Sequence, residues 1–156
     1  MKLAIFRRLN SFWNWCRGAK LSQQQIGDDE KVCRRIPPSE QWFEPPNITS
    51  ANFKLDTRIN EQGVSVYRLS VVTAEQVLKK PGAIPGSFIV AATVGQIRLL
   101  KNGQGDPLNL DVVAVDDAYN PGHSEIRGPT PGKLSNAASR SLQRLFQQSL
   151  TSSEST

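Results

Sequence analysis

The sequence predicts a single α+β domain, with an antiparallel or mixed sheet, two or three helices on it, and an N-terminal amphipathic helix. Three observations support this prediction. The 156 residues, of which 38% are hydrophobic, suffice for one core but not for two domains of ordinary size. Apolar segments with strand periodicity mix with helical ones, without the strict strand-helix alternation of a doubly wound fold. The C-terminal segment has the 3.6-residue periodicity of a helix packed on a core.

The first segment, "MKLAIFRRLNSFWNWCRG" at residues 1–18, predicts an amphipathic helix that carries basic and aromatic residues. Three alternatives remain open for it: packing on its own domain, docking on another protein, or adsorption to a membrane surface. Contact between residues 1–20 and nucleic acid is a further alternative. The residues that we predict to contact the partner are Ile5, Phe6, Leu9, Phe12 and Trp13.

The remaining chain is divided by its composition into a linker, a domain and a tail. Residues 19–29 are polar and rich in glutamine, which is typical of a linker. Residues 30–150 carry the periodic apolar segments of the predicted α+β domain. Residues 151–156 are small and polar, and we expect a disordered tail.

The first half of the domain predicts two strands around an irregular segment. In "KVCRRIPP", Val32 and Ile36 lie on one side of a short strand that the two prolines end. "SEQWFEPPNITSANF" is bounded by prolines and is expected to be irregular, with Trp42 and Phe43 buried. "GVSVYRLSV" alternates apolar and polar residues, which is typical of a half-buried strand.

The second half predicts helices with defined start signals and three more strands. Thr73 begins a short helix and Gln76 occupies its capping-box position. The apolar run "SFIVAATV", residues 87–94, predicts the central strand of the sheet, covered on both faces. Thr93 then begins a helical turn. "LNLDVVAVDD" and "HSEIRG" predict strands, and "TPGKLSNAASRSLQRLFQQSL" predicts the closing helix.

The distribution of charge and cysteine excludes several classes of protein. The net charge of +5 comes entirely from residues 1–20, so the domain itself is balanced and predicts no basic groove for nucleic acid. Cys16 and Cys33 form no metal-spaced pair, which argues against a zinc site and a disulfide framework. The sequence has no apolar run of about 18 residues, and we expect neither a spanning helix nor a signal peptide. We therefore expect a cytoplasmic protein, with peripheral membrane contact as an alternative.

The loop "DDAYNPGHSEIRGPTPG", residues 116–132, contains the only histidine, His123. Because the pKa of histidine lies nearest neutrality, His123 is the candidate general acid or base. Glu125 lies two residues further on, on the same face of a strand, and is the second catalytic candidate. Arg35 and Arg98 are candidates for binding an anion such as a phosphate ester or a nucleotide.

Structural interpretations stand beside each of these candidates. A lone histidine in a turn commonly packs or forms a local hydrogen bond, and Arg98 has either a carboxylate partner or a solvent-facing position. One histidine argues against a transition-metal site, so we expect no metal and no cofactor. The sequence contains neither a nucleophile elbow nor a phosphate-binding loop.

Five segments taken in order resemble a family of small uncharacterised bacterial proteins over residues 30 to about 148. They are "CRRIPP", "TSANF", "GVSVYR", "PGSFIVAATVGQIRLL" and "VVAVDDAYNPGHSEIRG". The matching positions are Arg35, Ser50, Phe53, Ser65, Arg98, Asn120, Pro121 and His123. Because this family has no established activity, the resemblance supports His123 and Arg98 as candidates, with Asn120 as a ligand contact, and implies no reaction.

The sequence favours a non-enzymatic binding or interaction module, such as an accessory subunit of a larger bacterial assembly that docks through its N-terminal helix. The supporting feature is an apolar helix face that so small a core has no evident need to bury. The alternative is an enzyme or binder that acts on a phosphate-containing ligand or nucleotide, with His123 as acid or base.

Overall fold

The computed structural model describes residues 25–152, so the predicted helix at residues 1–18 and its partner-binding residues lie outside the described part. Within residues 25–152 the chain forms seven strands, three α-helices and two 3₁₀ turns. The strands are β1 (Lys31–Ile36), β2 (Phe43–Glu44), β3 (Asn47–Ile48), β4 (Val64–Arg68), β5 (Phe88–Thr93), β6 (Asp111–Ala114) and β7 (His123–Arg127). The helices are α1 (Ala74–Leu78), α2 (Val94–Arg98) and α3 (Asn136–Ser152), and the 3₁₀ turns are Ser50–Phe53 and Thr57–Ile59.

Five of these strands form one sheet in the order β5-β1-β4-β7-β6, and every neighbouring pair is antiparallel. The α+β class is therefore confirmed, with an antiparallel sheet. β2 and β3 form a separate two-stranded hairpin inside the segment that the sequence predicts to be irregular. Within the described residues, no helix is both long and apolar enough to cross a bilayer.

The two faces of the sheet are buried by different helices. On one face, alternate strand residues pack with helix α3 and the first 3₁₀ turn around Phe53 and Phe146, both of which are fully buried. On the other face, α1 covers only one part of the sheet, where Val77 packs on Cys33. The rest of this second face carries polar side chains, because the strand residues that point to it are mostly polar.

Both predicted helix starts are confirmed. Thr73 and Gln76 form a capping box at the start of α1, with the threonine hydroxyl accepting from the Gln76 amide and the glutamine oxygen accepting from the Thr73 amide. Thr93 and Gln96 form the same motif at the start of α2. These side chains satisfy backbone N–H groups that a helix leaves unpaired, which makes such short helices stable enough to form.

The prediction that residues 87–94 form the central strand is wrong. β5 lies at one edge of the sheet and β4 occupies its centre. The apolar run is nevertheless covered on both faces, because α3 packs on one side of β5 and the small cluster under α1 packs on the other. Val90, Ala92 and Val94 are buried and the rest of the run is half-buried. Ile26 lies in the predicted linker, yet it is 2% exposed and belongs to the core, so the packed domain includes residues on the N-terminal side of position 30.

The pairing between β1 and β4 is interrupted. These strands pair only at Val32 with Arg68 and at Cys33 with Tyr67. β1 pairs with its other neighbour, β5, over all six of its residues. The sheet is therefore open between the second half of β1 and the first half of β4, and the candidate site lies in this gap.

Candidate anion-binding site

A pocket of about 310 Å³ occupies the gap between β1 and β4. It combines two arginines, several hydroxyl and amide groups, and an aromatic and aliphatic wall. Its lining residues are Arg34, Arg35, Pro37, Trp42, Asn52, Ser65, Tyr67, Gly82, Ile84 and Ser87.

Arg34 is a charged residue on the core-facing side of β1. It lies between Val32 and Ile36, both of which are fully buried. Its Nη1 donates to the carbonyl oxygen of Ser65 at 2.6 Å, and its guanidinium carbon lies 5.9 Å from the centre of the Phe53 ring. The side chain thus crosses the gap in the sheet and takes the place of the missing ladder between the two strands.

The guanidinium of Arg34 lacks an anionic partner. Its Nε is buried and has no hydrogen-bond partner, and among residues 25–152 no carboxylate forms an ion pair with it. Burial lowers the pKa of Arg34 to about 10, while the charge of Glu61 acts in the opposite direction. Arg34 therefore remains a cation at neutral pH in a position where an unpaired charge is costly.

Arg35, the next residue, lines the same pocket from the other face of the strand. Its Nη1 donates to the carbonyl oxygens of Val77 at 3.2 Å and Lys80 at 3.1 Å. The Val77 carbonyl lies in the last turn of α1 and the Lys80 carbonyl just beyond it, at the helix end where a cation is electrostatically favoured. Arg35 likewise has no ion pair with a carboxylate in the described part of the chain. The two arginines therefore bring two cations to the pocket, and neither forms an ion pair with a carboxylate of the described residues.

His123 lies at the start of β7, next to this pocket. Its Nε2 is 2.9 Å from the hydroxyl oxygen of Ser65, a pocket-lining residue on the neighbouring strand. Its ring centre lies 5.5 Å from that of Tyr67, with which it is paired across the strands. The predicted histidine thus contacts the pocket through Ser65 and Tyr67.

The surroundings of His123 favour its neutral form. Partial burial lowers the pKa of His123 below its ordinary value of 6.5, and the charge of Lys80 acts in the same direction. The carboxylates of Glu125, Asp116 and Asp117 oppose this shift without reversing it. The imidazole is therefore uncharged at neutral pH and able to accept a proton.

Glu125 and Asn120 are each bound to a basic side chain. The carboxylate of Glu125 accepts from Nε of Arg127 at 2.8 Å, so it acts on His123 only through its charge. The side-chain oxygen of Asn120 accepts from Nζ of Lys80 at 2.8 Å. This bond holds the ammonium group 4.7 Å from the centre of the Tyr67 ring.

Arg98, the remaining predicted ligand-binding residue, lies elsewhere. It donates to Asp111 at 2.8 Å and to Asp28 at 2.5 Å, and it is not among the residues that line the pocket. The sequence left open whether Arg98 has a carboxylate partner or faces solvent, and the structure shows carboxylate partners. Its charge is thereby compensated and it joins α2 to the edge strand β6.

Sequence reasoning did not single out Arg34, although a signal for it was present. In a strand whose residues 32 and 36 face the core, residue 34 faces the core as well, and here that residue is arginine. A charged residue at a core-facing position of an alternating strand indicates either an ion pair or a ligand.

Trp42 was expected to be buried. The structure places it, partly buried, in the wall of the pocket.

Comparison of the chain with protein-family models, curated proteins and solved structures finds no match.

Acidification should destabilise the protein through His123, the only histidine in the sequence. Above about pH 6.5 both the folded and unfolded states hold a neutral imidazole, and its contribution to stability is fully present. As the pH falls from there toward the lowered pKa of the folded protein, only the unfolded state takes up the proton, so stability is lost. Urea unfolding in mild acid should therefore show that the free energy of unfolding falls more steeply with decreasing pH for the wild type than for His123→Gln. An equal dependence on pH in the two proteins would contradict a lowered pKa of His123 in the folded state.

Proposed function

We propose that the domain is a binding module for a small anionic ligand, held by its phosphate or carboxylate group in the pocket between β1 and β4. The observation that carries this proposal is the guanidinium of Arg34, whose buried Nε has no partner and whose charge forms no ion pair with a carboxylate among the described residues. An anion bound to the guanidinium would accept hydrogen bonds from it and neutralise the charge.

The other residues of the pocket fit such a ligand. Arg35 places a second cation on the same cavity, and the hydroxyl groups of Ser65 and Ser87 offer further polar contacts. Trp42 and Ile84 provide an apolar wall for the body of the ligand. Ligand pockets generally combine a mostly apolar wall with a few polar groups that fix the orientation.

The proposal also keeps the docking role that the sequence predicts for residues 1–18. In this arrangement the N-terminal segment joins the domain to another protein, and the pocket supplies a ligand-dependent function within that cytoplasmic assembly. The absence of a bilayer-spanning helix from residues 25–152 is compatible with this arrangement.

The proposal is tested by titrating the protein with inorganic phosphate and with 4-nitrophenyl phosphate while recording the side-chain Nε–H resonance of Arg34 by NMR. We expect a saturable shift of that resonance. Arg34→Gln should weaken binding by at least about tenfold, because a charge-assisted hydrogen bond contributes about 1.5–3 kcal/mol.

The matched control is Arg140→Gln, which removes the same charge from an exposed position on α3 and should leave the affinity unchanged. Binding that persists in Arg34→Gln, or that weakens equally in Arg140→Gln, would show that the anion responds to overall charge and not to this pocket.

A further inference from the structure

Ser65 and His123 form a hydrogen-bonded pair at the wall of the pocket. The hydroxyl oxygen and Nε2 are 2.9 Å apart, although the residues are 58 positions apart in the sequence. This distance lies within the range seen between an activated nucleophile and its general base. Ser65 is exposed and lines the cavity, so its oxygen is accessible to a molecule bound there.

The geometry of the pair suits proton transfer. The His123 ring is held between strands by its contact with Tyr67, and with its proton on Nδ1 it accepts from the serine hydroxyl. Burial disfavours the imidazolium that forms when the proton moves, and the nearby carboxylates of Glu125, Asp116 and Asp117 offset part of that effect. The charge of Lys80 acts in the same direction as burial.

The cations of the pocket lie next to the serine. The guanidinium of Arg34 donates to the backbone carbonyl oxygen of Ser65, so its positive charge contacts the residue that carries the hydroxyl. Arg35 lines the same cavity. An ester whose anionic group binds these arginines would therefore have its carbonyl near the Ser65 oxygen, and the oxyanion formed on attack would be electrostatically favoured.

We propose that this pocket catalyses acyl transfer, with Ser65 as nucleophile and His123 as general base, on carboxylic esters that carry a phosphate or carboxylate group. The oxygen of Ser65 attacks the ester carbonyl while Nε2 of His123 takes the hydroxyl proton. The C–O bond to the alcohol then breaks, His123 returns the proton to the departing alcohol, and the acyl group remains on Ser65. Water, deprotonated by His123, releases the acid and restores the serine. This proposal rests on the proposed function for the binding of the anionic group.

The test uses 4-nitrophenyl succinate, whose acyl part carries a carboxylate, and 4-nitrophenyl butyrate as its neutral analogue. With the full-length protein we expect release of nitrophenol from the anionic ester and mass-spectrometric detection of a succinyl group on Ser65. Ser65→Ala should abolish that adduct, and His123→Gln should slow its formation by at least about a hundredfold. Ser39→Ala, an exposed serine outside the pocket, is the control and should behave as wild type.

Arg34→Gln should slow the reaction with the anionic ester more than the reaction with the neutral one, so that the preference for the anionic ester is lost. Circular dichroism of each variant establishes that it is folded, and His123→Asn provides a second substitution if His123→Gln is not. No succinyl group on Ser65, with saturable phosphate binding still observed by NMR, would overturn the catalytic proposal alone. Absence of both the adduct and phosphate binding would overturn it together with the proposed function.

Discussion

Replacing Phe53 with alanine is expected to lower the free energy of unfolding by about 3–5 kcal/mol. The side chain is fully buried, and its ring centre lies 5.2 Å from that of Phe146 on α3. Removal of the ring leaves a cavity where the first 3₁₀ turn, α3 and the sheet meet, and a close-packed core does not refill such a space. Urea unfolding monitored by circular dichroism measures the loss.

The same ring lies under the guanidinium of Arg34, so Phe53→Ala should also weaken anion binding in whatever protein remains folded. Phe53→Leu, which retains most of the buried volume, should lose less stability. Ile59→Ala is the control, because this neighbouring apolar side chain is 69% exposed and its loss should change stability by no more than about 0.5 kcal/mol. A loss in Phe53→Ala as small as in Ile59→Ala would contradict the central position of Phe53.

Replacing Glu30 with glutamine is expected to lower the free energy of unfolding by about 3 kcal/mol, because it leaves a buried arginine without its counter-ion. Nε of Arg68 lies 2.8 Å from the Glu30 carboxylate, and the two side chains are only 10% and 15% exposed. The hydroxyl of Ser70 also donates to this carboxylate. The ion pair joins the segment before β1 to the end of the central strand β4.

The double variant Glu30→Leu/Arg68→Met provides the matching comparison. Replacing both partners with apolar side chains removes the charge as well as its partner, so the double variant should be more stable than Glu30→Gln. If the double variant is the less stable of the two, the cost of an unpaired Arg68 is not the origin of the effect.

At acid pH, the free energies of unfolding of the wild type and of Glu30→Gln should differ by less than they do at neutral pH. Burial alone would raise the pKa of Glu30, but the hydrogen bonds from Arg68 and Ser70, with the charge of Arg68, lower it below its ordinary value. The contribution of the ion pair is therefore fully present above the pKa that Glu30 has in the unfolded chain, and it is lost as the pH falls through the lowered value.

The elements that the sequence predicted correctly are those determined by local interactions. Thr73 and Thr93 satisfy amides three residues away, so a threonine followed by a glutamine at that spacing identifies the start of a helix from sequence alone. The strand periodicity around Val32 and Ile36 is equally local. The α+β class follows from how such segments succeed one another along the chain.

The order of strands could not be predicted in this way. An apolar run such as that of β5 indicates that both faces of a strand are covered. It does not indicate how many neighbouring strands pair with it, because helices can cover both faces of an edge strand. The pair of Ser65 and His123 was equally inaccessible, because it depends on the register between β4 and β7. The unpaired charge of Arg34 became evident only once the break between β1 and β4 was known.

That break divides the sheet into two ribbons of paired strands, which are joined at one end. One ribbon is β5 with β1, and the other is β4 with β7 and β6. Their backbones pair only at Val32 and Cys33, and Arg34 adds a side-chain hydrogen bond to Ser65. An anion that contacts both Arg34 on the first ribbon and Ser65 on the second would connect the two ribbons at the end where their backbones do not pair. Binding of the proposed anion should therefore reduce the motion of the two ribbons relative to one another.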